Sequence, residues 1–300
     1  MNAGSTSLKL SLVAADATSE ELASLSEIDD EPVAIGHRIV HGGERFRDPV
    51  LVDDEVEGAL RALADLAPLH SRPALDALDS AKERFPALPH VAVFDTAFHA
   101  TMPEHASTYA IPKHWREYWG IRRYGFHGLS VTWVSEQVPA PRLVACHLGG
   151  GCSVTAVLDG RSVDTTMGFS PLEGVPMATR AGSVDPGALV YMLRHRGLTL
   201  DELDRTLEDE SGLAALGGLD DDLGFAVYTY RIAQACAAMA TALGGIDVLV
   251  FTGGVGENRP DVRDAISAQL RFLGVFEVQV VHSREDLVIA RLVRKLLASA

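Results

Sequence analysis

The residues best equipped for chemistry are two arginines in unusual surroundings, Arg38 in HRIVHGGE and Arg180 in ATRAG, and three turns built from glycine and small hydroxyl residues. Arginine presents parallel N–H donors that match a carboxylate or phosphoryl group in a way lysine does not. Arg38 ends an apolar stretch beside a Gly-Gly turn that opens space around it; the bland alternative is a surface pair with Glu44. Two arginines from distant segments can together neutralise a transferring phosphoryl group, whose charge is spread over three oxygens. Gly149, Gly150 and Gly151, in HLGGG, lack a Cβ, so their N–H groups can approach a phosphate that larger residues hold off. The theme recurs in NAGSTSLK, where hydroxyls and Lys9 can meet phosphate oxygens, and in GGVGEN at 253–258, a second clamp opposed to the first. The N-terminal turn is not a GxxxxGK[ST] loop, whose order is absent. Three such turns at strand ends point to a nucleotide held in a cleft.

Three further residues carry chemistry only in context. Asp95, in FDTAFH, ends a buried strand, where a carboxylate needs a partner or a metal; capping the next helix is the competing reading. His127 sits between glycines in RRYGFHG and can donate to a developing oxyanion, although a lone histidine is often structural. His99 and His105 do not share one helical face and find no third ligand, so no zinc site is expected.

The elements that must position these residues follow from periodicity and punctuation. Alternation over 8–14 predicts a strand leaving the first glycine turn, and the acidic, serine-rich 17–31 predicts an exposed loop or short helix. A strand over 34–43 ends in Gly-Gly; helical periodicity covers 53–66 and 72–85, punctuated by Pro68, Pro73 and Pro86. HVAVFDTAFH at 90–99 reads as a buried strand ending at Asp95, the end at which α/β folds place ligands. A helix over 126–138 precedes the strands of LVACHLGGG and SVTAVLDGRSV, with a hairpin over Asp159-Gly160. Helices over 186–197, 199–209 and 225–243, a strand at 247–254 and an amphipathic helix over 285–298 complete the chain. A strand–strand–strand–helix–strand order occurring twice would give two similar α/β domains around a cleft.

At 300 residues, two domains are favoured over one core. Hydrophobic residues make up 47% and charged residues 22%, the composition of an ordinary globular chain. A net charge of −15 argues against a nucleic-acid partner but leaves ATP open, because a local cationic cluster outweighs a distant field. Cys146, Cys152 and Cys236 show no CxxC spacing, as in a reduced chain without a disulfide framework. With no bilayer-length apolar run and no signal-peptide pattern, the expected location is cytoplasmic, without a membrane partner.

In this order, NAGSTSLK, HRIVHGGE, APLH, FDTAFH, RRYGFHG, HLGGG, SVDTTMGFSPLEG, TRAGSVDPG and FTGGVGEN make the chain resemble the acetate kinase family of the actin/Hsp70/sugar-kinase superfamily. The resemblance implies an α/β fold of two ribonuclease-H-like (actin-like ATPase) domains with an interdomain cleft. The first would comprise 1–98 and 285–300, the second, nucleotide-binding, 99–284. It also implies a homodimer that reversibly phosphorylates acetate to acetyl phosphate with ATP as co-substrate and Mg²⁺, or Mn²⁺ in its place. By position, Asn2 and Glu285 look like the magnesium-associated residues and Lys9 like the nucleotide-facing lysine. Arg38 looks like the substrate-carboxylate arginine, Asp95 like the catalytic aspartate, and His127 and Arg180 like the transition-state stabilisers. His147, Leu148, Gly149, Gly150 and Gly151, with Gly253, Gly254, Val255, Gly256 and Glu257, match the ATP-contacting loops.

Acetate is already ionised near neutral pH, so Asp95 is expected to orient an arginine or the metal rather than remove a proton. Val40, Pro176 and 169–175 are assigned to the acyl pocket. One or two methylenes change affinity by only about 1–3 kcal/mol, so propionate and butyrate stay open as acceptors. The chain also departs from the family pattern. The stretch before HRIVHGG is much reduced, and the strand before the first turn is missing, as a start codon set too far downstream would leave it. Gly150 replaces an asparagine, Val131 replaces the second histidine after FHG, and the Ser-Ser-Asp-x-Arg segment that contacts adenosine is shortened to GGLDDD. Two alternatives therefore stand beside the kinase reading: a nucleotide-binding relative with weakened or no catalysis, and a sugar kinase, which the paired arginines suit less well.

Overall fold

The computed structural model describes residues 1–3, 8–28, 32–63 and 68–299. The turn Gly4–Ser7, the middle of the first glycine motif, lies outside the described residues. In chain order the elements are β1 (Asn2–Ala3), β2 (Leu8–Val13), β3 (Ser19–Leu22), β4 (Ile35–Ile39), β5 (Val50–Leu51), α1 (Asp54–Leu63), α2 (Pro68–Arg84) and β6 (His90–Phe94). There follow α3 (Glu104–Ser107), α4 (Lys113–Trp119), α5 (Gly128–Gln137), β7 (Arg142–Leu148), β8 (Cys152–Leu158), β9 (Arg161–Thr165), α6 (Pro186–His195) and α7 (Leu200–Asp209). The chain closes with α8 (Asp222–Leu243), β10 (Val248–Thr252), α9 (Gly253–Asn258), α10 (Pro260–Gln269), β11 (Glu277–Val280) and α11 (Glu285–Leu297). Among the described residues no helix is long and apolar enough to cross a membrane.

The chain divides into two compact units, one of Met1–Ala100, Phe126–Trp133 and Arg284–Ala300, the other of Thr101–Gly125 and Val134–Ser283. In the first, the described strands form a sheet in the order β3-β2-β1-β4-β6-β5. The strand of 90–94 is buried at every position, and apolar after His90, because both its faces are covered. Ala92 and Phe94 pack with Ile39, Phe46, Leu60 and Leu78 from the α1 and α2 side. Val91 and Val93 point the other way, onto Leu129 of α5 and Val288, Ile289 and Val293 of α11. Leu129 is why the segment 126–133, expected with the later residues, clusters with the first unit.

Two sequence expectations change here. The 17–31 segment holds the short helical turn Leu25–Glu27, within its expectation, but also a strand, β3, whose Ser-Glu-Glu-Leu lies at the sheet edge, where charge is tolerated and discourages further pairing. The strand expected to be missing before the first turn is present as the two residues of β1, antiparallel to β2 and parallel to β4.

The second unit carries the sheet β11-β10-β7-β8-β9, with α8 burying Tyr228, Ile232, Ala233 and Cys236. The expected hairpin is present: Asp159 and Gly160 have φ of 48° and 77°, the left-handed pair that a two-residue hairpin turn requires. The edge strand β11 escaped sequence reading because Glu-Val-Gln-Val is mostly exposed. With the two-residue edge strand β5 set aside, the order third-second-first-fourth-fifth is shared by β3-β2-β1-β4-β6 and β9-β8-β7-β10-β11. In both, the first three strands are mutually antiparallel neighbours and the first, fourth and fifth run parallel.

Candidate active site

In the first unit, register sets Arg38 of β4 between Asn2 of β1 and Val93 of β6. Its Nε donates to Asp95 Oδ2 at 2.9 Å, its Nη2 donates to the same oxygen, and its Nη1 donates to Asn2 Oδ1 at 3.0 Å. The Asn2 amide in turn donates to Glu285 Oε2 at 2.7 Å, at the start of α11. Four residues expected to act together thus form one polar chain, Glu285–Asn2–Arg38–Asp95. Asp95 takes both the Nε and the Nη2 of Arg38 on one oxygen.

Asp95 is completely buried. Burial pushes its carboxyl above the usual range while the Arg38 guanidinium draws it down; Arg38 itself stays protonated despite burial because Asp95 and Glu285 face it. Asp95 Oδ1 is buried without a hydrogen-bond partner. The Asp95 carbonyl accepts from Gly128 N at 2.9 Å. A Cβ on Gly128 would lie 2.1 Å from that carbonyl oxygen, so only glycine lets α5 start against this strand end.

His127, just before it, has φ of 61°, a left-handed conformation that a non-glycine residue adopts at a cost. The peptide ahead of it is held by buried His99, whose Nε2 lies 2.9 Å from the Phe126 carbonyl. Burial lowers the His99 pKa to about 4, so it is neutral near pH 7 and its Nε2–H donates to that carbonyl. Lys9 lies exposed on β2, opposite Asn2 in register.

In the second unit, Gly149–Gly151 form the turn between β7 and β8, closed by Gly149 N donating to Gly151 O at 3.0 Å. His147 is half-buried. The Leu148 side chain is fully buried, which leaves its backbone as the part that faces the loop. A Cβ on Gly150 would meet nothing within 4 Å, and one on Gly149 would lie 3.7 Å from Gly254 N, so the two glycine loops are neighbours. Gly253 differs: its φ is 80°, and an added Cβ would sit 2.7 Å from Leu148 O.

Gly254 is exposed, Val255 half-buried and Gly256 buried. Glu257 is turned inward. Its Oε1 accepts from Gly253 N and Ser283 N, each at 3.0 Å, and its Oε2 meets His282. Its side chain thus braces the loop. Thr252, at the end of β10, buries a hydroxyl with no hydrogen-bond partner.

Arg180 belongs to this unit too. Its Nε donates to Glu208 Oε2 at 2.7 Å, and Ala178 N donates to Gly150 O at 3.2 Å, tying the Arg180 turn to the glycine loop. The GGLDDD segment caps α8: Asp221 Oδ1 accepts from Leu223 N and Gly224 N at 2.8 and 3.1 Å. Val131 is 1% exposed, a position where an apolar side chain fits the packing. Val40 lies in the first unit, Pro176 and 169–175 in the second.

Sequence reasoning missed Glu208 and Thr252. Thr252 immediately precedes a Gly-Gly pair at a strand end, a usable signal. Glu208 sits in an acidic helix that reads as a solvated face, and nothing local marks it.

Among the described residues, no group of three or more His, Cys, Asp or Glu side chains is placed to enclose a metal ion. Mg²⁺ at phosphotransfer sites takes one or two protein oxygens and completes its shell with water and phosphate. The unpartnered Asp95 oxygen, with Glu285 and the Asn2 amide oxygen nearby, is a hard-oxygen set of that kind.

Residues 23–291 match the model of the Acetokinase family. The chain is 43% identical over 327 aligned residues to acetate kinase of Deinococcus deserti, covering 93% of this chain and 82% of that protein. Among solved structures, a propionate kinase from Francisella tularensis superposes with a TM-score of 0.83 at 36% identity, over 87% of this chain and 78% of that one. Porphyromonas gingivalis acetate kinase superposes at 0.81 with 30% identity, over 96% of this chain and 90% of that one. The arginine–carboxylate chain and the glycine loops therefore sit in a protein that belongs to the Acetokinase family.

Proposed function

We propose that this chain reversibly transfers the γ-phosphoryl group of ATP to acetate, giving acetyl phosphate and ADP. The observation that carries the reading is Arg38, fixed in plane by Asp95 and Asn2 at the ends of adjoining strands. A guanidinium held this way is preset for a carboxylate, and family membership gives that carboxylate its identity. The likeness to a propionate kinase favours propionate as a second acceptor.

The reaction needs positioning and charge neutralisation more than proton transfer. An acetate oxygen attacks the γ-phosphorus as the bond to the β–γ bridging oxygen breaks, and ADP leaves with that electron pair. Arg38 holds the carboxylate; Arg180 and His127 meet the charge spread over the phosphoryl oxygens. Backbone N–H groups of the loops at 149–151 and 253–256 hold the ATP phosphates, and Lys9 supplies a further positive charge. Asn2, Glu285 and the free Asp95 oxygen are the groups to hold Mg²⁺ (or Mn²⁺), which when bound neutralises phosphate charge. In this reading the two units are ribonuclease-H-like domains, supported by their shared strand order, and the enzyme works as a cytoplasmic homodimer.

The test is acetyl phosphate formation from acetate, ATP and Mg²⁺, trapped as the hydroxamate. Turnover on acetate is expected. No product from acetate, propionate or butyrate would overturn the proposal, and stabilisation by ATP without turnover would favour a non-catalytic nucleotide-binding relative.

A further inference from the structure

Glu208 is the one buried residue of α7, a helix whose other positions are exposed or half-buried. A helix that buries a carboxylate and no apolar side chain is not using that position for packing. Removing an ionised carboxylate from water is costly unless a charged partner answers it. Here Arg180 does so: its Nε donates to Glu208 Oε2 at 2.7 Å, with the two side chains only 11% and 9% exposed. The backbone around the pair is pinned as well. Thr179 Oγ1 donates to Glu208 O at 2.7 Å, Ala181 N to Leu207 O at 3.2 Å, and Ser211 N to Thr179 O at 2.8 Å. Arg180 Nη1 points to Met177 Sδ at 3.7 Å. The Nε side of the guanidinium is thus committed to Glu208, which fixes the orientation of the whole planar group.

We infer that Glu208 is a positioning residue for phosphoryl transfer, acting through Arg180. The inference rests on the proposed kinase reading, in which Arg180 meets the transferring phosphoryl group. Burial pushes the Glu208 carboxyl upward and Arg180 opposes this, in keeping with a carboxylate retained for its partner.

The test compares wild type, Glu208→Ala, Glu208→Gln, Glu208→Asp, Arg180→Ala and the double variant Arg180→Ala/Glu208→Ala. Each is assayed for acetyl phosphate formation with saturating ATP and Mg²⁺, alongside its melting temperature. Glu208→Ala is expected to lower kcat about tenfold or more with KM for acetate and ATP changed by less than about threefold, the mark of an interaction made mainly in the transition state. Glu208→Asp, which keeps the charge, is expected to recover part of that loss, and Glu208→Gln, which keeps shape and one acceptor, to fall between. In the Arg180→Ala background, removing Glu208 should cost nothing further in kcat, because the residue acts through the arginine.

An equal further loss in that background would overturn the inference and leave Glu208 as a structural residue. A wild-type kcat in Glu208→Ala would also overturn it. If Glu208→Ala does not fold, the same cycle is run with Glu208→Gln and read the same way. Failure of the wild type itself to turn over would count against the kinase reading, whereas an active wild type with an indifferent Glu208 would sink this inference alone.

Discussion

The two sheets share a strand order and spend their first strand in opposite ways. In the first unit that strand is the two residues of β1, and the site beside it is made of side chains: Asn2, Arg38, Asp95 and Glu285 joined end to end. In the second the equivalent strand, β7, has seven residues, and the site at its end is made of missing side chains: Gly149–Gly151 against Gly253 and Gly254. The first arrangement fixes charge in space and suits a small anion that must be oriented. The second exposes backbone N–H groups and suits a polyphosphate that must be approached closely. One strand order thus ends in fixed charged side chains in one unit and in glycine turns in the other.

The most severe way to break this comparison is to remove the arginines. Arg38→Ala and Arg180→Ala should each lower kcat/KM by about 10²–10³, the size of losing an oxyanion donor. Arg38→Ala should act on the acetate side, with ATP still raising the melting temperature as in wild type. If Arg38→Ala abolished ATP stabilisation and left KM for acetate unchanged, the division between the two sites would be wrong.

A sharper comparison comes from two glycines in the second unit. Gly253→Ala forces a Cβ to within 2.7 Å of Leu148 O at φ of 80° and should destabilise the protein by about 1–3 kcal/mol, read as a lower melting temperature. Gly150→Ala meets nothing within 4 Å and has no left-handed backbone, so its melting temperature should match wild type. Its KM for ATP should nevertheless rise several-fold if phosphate packs against that backbone. A destabilised Gly150→Ala, or one with unaltered ATP kinetics, would make the loop structural and not a ligand cradle.

These contrasts also show what the sequence could and could not disclose. The apolar strands of 90–94 and 248–252, the Asp159-Gly160 hairpin and the α8 and α11 helices were legible because burial and turn chemistry are written locally. Arg38 and Asp95 could be named from their strand ends, although their pairing depends on parallel registry between residues 57 apart. The edge strands β3 and β11 were not legible, since exposed edges carry the polar residues of loops. Glu208 was invisible because its burial is decided by the Arg180 turn folding over it. The inward turn of the Leu148 and Glu257 side chains was not legible for a related reason: a motif names the positions at a loop and says little about where each side chain turns.

The mildest perturbation is acid, and it should separate the units by sign. Every buried histidine among the described residues, His37, His41, His90 and His99, lies in the first unit. Burial lowers the pKa of His37, His90 and His99, the last to about 4, against an ordinary value near 6.5. Between those values the unfolded chain takes up protons that the folded chain refuses, so this stabilisation is complete above pH 6.5 and is lost as pH falls toward 4. His99 alone accounts for about 2 kcal/mol by pH 5. In the second unit burial raises the Glu208 and Asp164 carboxyls, which makes the folded form the better proton binder and reverses the slope. Asp95 has that sign in the first unit and offsets part of the loss. Amide hydrogen exchange at pH 6.5 and 5, corrected for intrinsic rates, should show protection falling in β4 and β6 before β7 and β10. His99→Asn should shrink the gap. Equal losses in both sheets would mean that the buried imidazoles of the first unit do not set its acid sensitivity.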